Sequence, residues 1–209
     1  FFCTLPKPYV VYRITHNNNR LYYRFDEAGN PLFHISLTTL IRATNPKPEH
    51  LIKWIADMGY EESKKYMNER ANYGSIMHIL FGHLLKDGTY DFNKTEELCK
   101  KIAKENDYML LESWIDDFND DITGFMQFII DHKVKPMAIE IVLVSKDLFG
   151  TAIDLVCKMT IEEKGFHGEL YKSGDNKGKP KESKKERDIT ALINFKSGRK
   201  GFYEDNEIQ

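Results

Sequence analysis

Late in the chain, three short apolar runs each carry a polar or charged side chain where an apolar one is expected. The first is Pro136-Met137-Ala138-Ile139-Glu140-Ile141-Val142-Leu143-Val144. The second is Gly150-Thr151-Ala152-Ile153-Asp154-Leu155-Val156-Cys157, and the third is Ile189-Thr190-Ala191-Leu192-Ile193-Asn194-Phe195-Lys196-Ser197-Gly198. Their composition predicts strands over 137–145, 149–160 and 189–196. Apolar residues on both faces near 139–144 predict a sheet covered by helices. Side chains alternate along a strand, so Asn194 and Lys196 share a face. Asp154 shares one with Ala152, Val156 and Lys158, and Glu140 shares one with Ala138, Val142 and Val144. A buried carboxylate is costly unless paired or bound to metal. Asp154 and Lys196 therefore suit either a structural ion pair or a metal ligand beside a water-activating lysine. The residues alone leave both open.

The half that precedes these strands is helical in pattern. Ser36 is a plausible N-cap for a helix through Ala43, which Pro46 and Pro48 break. Leu51, Ile52, Trp54 and Ile55 lead to Gly59, and a long helix then runs from Glu61 to Asp87-Gly88. Two more helices are expected over 95–105 and 108–132. Ahead of them, residues 9–14 and 21–25 flank a turn-rich His16-Asn17-Asn18-Asn19 and read as a β-hairpin that Asn30-Pro31 closes. The expected division is a hairpin appendage over 1–35 and one domain over 36–209. No internal repeat is apparent.

Composition bounds the function classes. The 209 residues suit one domain with an appendage, and 41% hydrophobic content suffices for a core. No run approaches the roughly 18 apolar residues of a membrane span. The first residues, Phe1-Phe2-Cys3-Thr4-Leu5-Pro6, lack the basic start and apolar stretch of a secretory signal. Cys3, Cys99 and Cys157 are odd in number and far apart, which argues against a disulfide framework and for an intracellular setting. They also cannot supply a four-cysteine iron–sulfur cluster. The net charge of -2 excludes a chain that is basic overall. Residues 172–188, however, carry a net charge of +3, within a Lys-rich insertion over 162–188. That run reads either as a mobile DNA-contacting loop or as a solvated hairpin.

Gly74-Ser75-Ile76-Met77-His78 lies on the long helix, with Gly82 a further turn on. His83, five residues past His78, falls on another side of that helix. The order is thus Gly-x-x-x-His on a helix, Glu140 on a strand, Gly150-Thr-x-x-Asp154 on the next, and Asn194-x-Lys196 on a third. This order resembles the PD-(D/E)XK nuclease superfamily, most closely its RecB-like exonuclease branch, which includes phage-type and mitochondrial genome-maintenance exonucleases. Ser36-Leu37-Thr38-Thr39-Leu40-Ile41, Pro46-Lys47-Pro48 and Leu51-Ile52-Lys53-Trp54 are similar to the helices that precede the Gly-x-x-x-His helix in that branch. The resemblance covers residues 36–209.

The resemblance implies an α/β (α+β) fold with a restriction-endonuclease-like core: a central mixed sheet, a helical N-terminal half and an added N-terminal β-hairpin. It implies a metal-dependent DNA nuclease, an exonuclease, acting on a single strand or a duplex end, in the cytoplasm if the source is bacterial or phage. Mg²⁺ or Mn²⁺ would be held by Asp154, Asn194, Glu140 and His78, with Lys196, Asp154 and Glu140 catalytic. Arg70, Tyr73, Ser197, Arg199, Lys200 and Gln209 are the expected nucleic-acid contacts. Tyr66 is a further one, and core packing accounts for the tyrosines equally well.

Two departures stand out. The superfamily has Asp or Glu two residues before the lysine, and this chain has Asn194, whose carboxamide oxygen brings no charge. That change favours a second reading: a weak or inactive nuclease-like domain that binds DNA or a protein. The helix that begins at Tyr203 stops at Gln209, as in a trimmed chain. A third reading is an unrelated α/β domain with a structural Asp154–Lys196 pair.

Overall fold

A computed structural model of the chain describes residues 10–16, 19–145 and 149–196. Its elements are mixed α and β, and they divide into two compact units. The first comprises residues up to Ala71 together with Glu140–Asp154, and the second comprises Asn72–Ile139 together with residues from Leu155 on.

In the first unit, β1 (Tyr12–His16), β2 (Asn19–Phe25) and β3 (Pro31–Ser36) form an antiparallel meander. The β2–β3 turn is closed by Asp26, whose Oδ1 accepts hydrogen bonds from the backbone N–H groups of Ala28 (2.9 Å) and Asn30 (2.8 Å). β3 then pairs in parallel with β5 (Phe149–Leu170), Ile35 beside Phe149 and Ser36 beside Gly150. The strand order is β1-β2-β3-β5-β4, with β4 spanning Lys135–Val144. The N-terminal strands therefore belong to the sheet that carries Gly150–Asp154, where the sequence suggests an appended hairpin. β3 is the element that sequence reasoning misses. Its Pro31 sits at the first strand position, where the missing N–H costs no ladder bond, and its partner β5 lies more than a hundred residues away in the chain.

Gly150 makes this packing possible. A methyl group placed on it would lie 2.5 Å from Cδ2 and 2.8 Å from Cγ of Tyr22, a ring that is only 1% exposed. Ser36 is buried and precedes α1 (Leu37–Thr44), but its side chain makes no capping bond. After α2 (Glu49–Met58), Gly59 adopts φ 89° and the long helix α3 (Tyr60–Asp87) begins.

The second unit holds the main core. α3 contributes Tyr73, Ile76, Met77, Leu80, Phe81 and Leu84 at intervals of three and four residues, one stripe of a helix. α4 (Thr95–Asn106) adds Cys99 and Ile102, and α5 (Trp114–Asp131) adds Trp114, Phe118, Ile122 and Phe125. α5 starts later than the periodicity predicts, because Asp107 enters the left-handed region at φ 56° and residues 108–113 are not helical. From β5, Leu155, Cys157 and Met159 enter the same core in strict alternation.

β6 (Pro180–Ile193) pairs antiparallel with β5, Leu155 opposite Ile193 and Lys158 opposite Thr190. The ladder continues far beyond the predicted strand ends, to Leu170 and Pro180. The Lys-rich segment is thus largely a two-stranded ribbon. Opposite charges meet diagonally across it: Lys184 Nζ lies 2.7 Å from Glu162 Oε2, and Arg187 Nη1 lies 3.7 Å from Glu163 Oε1, while Glu186 stands directly opposite Glu162 and Lys184 opposite Lys164. Exposed pairs of this kind contribute little each, but they offset part of the repulsion between the like charges that stand directly opposite. No helix among the described residues is long and apolar enough to cross a membrane.

Candidate functional site

The second unit brings the Gly-x-x-x-His helix against the end of the lysine strand. His78 Nε2 lies 3.1 Å from the carbonyl oxygen of Phe195, and the two rings meet edge to face at 5.5 Å. A carbonyl only accepts, so the geometry assigns a proton to Nε2. The Phe195 ring is buried at 5.1 Å from both Phe81 and Phe125. Asn194 and Lys196, on either side of it, are both exposed. β6 ends at Ile193, three residues short of the predicted strand end.

In the first unit, Asp154 ends the stretch that begins at Gly150. Alternation puts it on the face of Gly150 and Ala152, and it is half-buried, whereas Ile153 is buried on the opposite face. The deep burial suggested by its apolar neighbours is therefore only partly realised. Glu140 differs more. It is exposed, and its backbone adopts φ 53°, the left-handed region that a residue with a Cβ seldom enters. Such a residue inside a strand breaks the period-two alternation, as in a bulge. The face expected for Ala138, Glu140, Val142 and Val144 does not carry through it. Nothing in the residue types signals this, since Glu has no preference for positive φ.

The expected nucleic-acid contacts divide. Arg70 lies over the ring of Tyr66, 5.6 Å from its centroid, and Tyr66 is exposed and meets Trp54 edge to face at 5.8 Å. Tyr73 is inside the core, stacked on Phe118 at 4.4 Å, and its hydroxyl donates to Asp121 Oδ2 at 2.6 Å. Core packing is the reading its surroundings match. Ser197, Arg199, Lys200 and Gln209 lie outside the described residues. Gly82 is buried on α3, but a methyl group added to it would meet nothing within 4 Å, so no backbone packs closely there.

One group of side chains was not singled out from sequence. Tyr12, Tyr23, Phe25 and Phe33 form a ladder across β1, β2 and β3: Tyr12 stacks on Tyr23 at 4.9 Å, and Phe25 and Phe33 each lie 5.7 Å from Tyr23. The available signal was the Tyr23-x-Phe25 alternation in the second strand of the hairpin.

Among the described residues no group of three or more His, Cys, Asp or Glu side chains is placed to hold a metal ion. Asp154 and Glu140 nevertheless offer hard carboxylate oxygens and Asn194 a carboxamide oxygen, donor types that suit Mg²⁺ or Mn²⁺. Comparison of the chain with protein-family models, with curated proteins and with solved structures found no match in any of the three.

Proposed function

We propose that this chain is a divalent-metal-dependent deoxyribonuclease, an exonuclease on a restriction-endonuclease-like core. The observation that supports it most is the His78–Phe195 hydrogen bond. It joins the Gly74-x-x-x-His78 helix to Asn194-Phe195-Lys196, two of the four elements whose order carries the resemblance.

On this reading Asp154, Asn194, Glu140 and His78 are the residues that would hold Mg²⁺ or Mn²⁺. A bound ion would supply Lewis-acid polarisation of the phosphate and a lowered pKa for a coordinated water. Lys196 would donate to the attacking water and to the phosphoryl oxygen on which charge builds. Arg70, held over Tyr66, would neutralise a backbone phosphate of a single strand or duplex end. An intracellular setting goes with this proposal. The test is cleavage of end-labelled single-stranded and duplex DNA with Mg²⁺ or Mn²⁺. Cleavage by the parent chain that is lost in Asp154→Ala and Lys196→Ala supports the reading. Failure to cleave and failure to bind Mn²⁺ would overturn it.

A second reading is favoured by one observation, the carboxamide at position 194. A weak or inactive nuclease-like domain would bind DNA or a protein without cutting. Saturable DNA binding without cleavage would decide for it.

A further inference from the structure

We infer that the edge of the N-terminal meander is a binding site for single-stranded DNA, separate from the residues assigned above to metal and lysine chemistry. The choice of DNA over RNA rests on the nuclease reading; the site itself rests on the meander. One face of β1–β3 is apolar and open. Tyr12 is 42% exposed, Phe25 47% and Phe33 61%. A soluble chain seldom leaves neighbouring rings uncovered without a use for them.

The charge of the same hairpin selects the occupant. Residues 10–25 contain Arg13, Arg20 and Arg24 and no Asp or Glu. Two such hairpins repel, which disfavours a second copy of the chain as the occupant. A polyanion with aromatic faces of its own satisfies both features at once.

The register shows how. Tyr12 is paired with Tyr23 and Arg13 with Tyr22, so the Tyr12–Tyr23 stack lies on one face of the sheet and Arg13 on the other, beside the buried Tyr22. β1 is the outermost strand in the sheet order, and Arg13 and Arg20 are exposed. Along a free strand edge a ligand can touch both faces. A single strand carries bases on one side of its backbone and phosphates on the other. Laid along β1, it sets bases over Tyr12 and its neighbours and phosphates beside Arg13 and Arg20. Duplex DNA, with its bases stacked inside, does not offer this pairing.

The test uses fluorescein-labelled oligothymidine and the full 209-residue chain in EDTA. Metal is then absent, so binding is read apart from cleavage. Tyr12→Ala with Phe25→Ala should weaken binding by about tenfold or more, since each stacked base contributes on the order of a factor of ten. Arg13→Gln with Arg20→Gln should make the log–log salt slope shallower by about 1.4, at about 0.7 per phosphate contact to a single strand. All four positions are exposed, and circular dichroism checks that the variants fold. Undetectable binding by the parent chain overturns the inference, as does equal affinity of the aromatic double variant. Tighter binding of duplex DNA or of oligouridine also overturns it. Loss of cleavage in Asp154→Ala with oligothymidine binding intact would leave this site standing and test the nuclease reading alone.

Discussion

His78 and Phe195, separated by more than a hundred residues in sequence, are joined by a hydrogen bond of 3.1 Å from the imidazole Nε2 to the main-chain carbonyl. The bond ties the middle of α3 to the segment that follows β6.

Loss of that bond should be felt in stability before it is felt in chemistry. His78→Ala leaves the carbonyl of buried Phe195 without this donor, which costs about 1–3 kcal/mol. A shift of the urea midpoint at unchanged slope would report it. An unchanged midpoint would show that the bond contributes nothing net.

Asn194→Asp is expected to raise Mn²⁺ affinity and DNA cleavage together. One added charge at about 4 Å from a cation contributes roughly 1–4 kcal/mol at effective dielectrics between water and the protein surface, or about one to three factors of ten. Paired titrations of metal and of cleavage measure it. If neither moves, position 194 is not a ligand.

Asp154→Ala should abolish Mn²⁺ binding in a chain that still unfolds cooperatively, because Asp154 is only half-buried. Calorimetric titration of the folded variant is the measurement. Retained affinity would remove Asp154 from the ligand set.

The two glycines should respond with opposite sign. Gly150→Ala drives a methyl group into the Tyr22 ring, and overpacking of this kind costs about 1–3 kcal/mol. Gly82→Ala adds a methyl group inside a helix with nothing in its way, and should stabilise by about 0.5–1 kcal/mol. Thermal melts of both variants test the contrast.

Burial pushes the Cys99 thiol up to about 11 from an ordinary value of 9.0. The folded state therefore keeps its proton while the unfolded chain loses it. Stability should be unaffected below pH 9 and should fall between pH 9 and about 11, by on the order of 2–3 kcal/mol in all. Denaturation curves across that window check the sign. Cys99 is 0% exposed, so a thiol reagent should label it only on unfolding.

The sequence by itself determined the elements whose signal is local. The stripe Tyr73, Ile76, Met77, Leu80, Phe81, Leu84 declares α3 through its spacing, and the odd-numbered residues Ile153, Leu155, Cys157 and Met159 declare the buried face of β5. Tertiary structure decided what depends on distant partners. β3 exists because β5 lies beside it, and the ribbon beyond Met159 persists because β5 and β6 pair backbone to backbone as far as Leu170 and Pro180. Glu140 takes a left-handed backbone that its residue type does not announce. Tyr73, legible as either core or contact, became core because Phe118 and Asp121 from α5 close over it. Local periodicity reports which face of an element is apolar; only the assembled chain reports what covers that face.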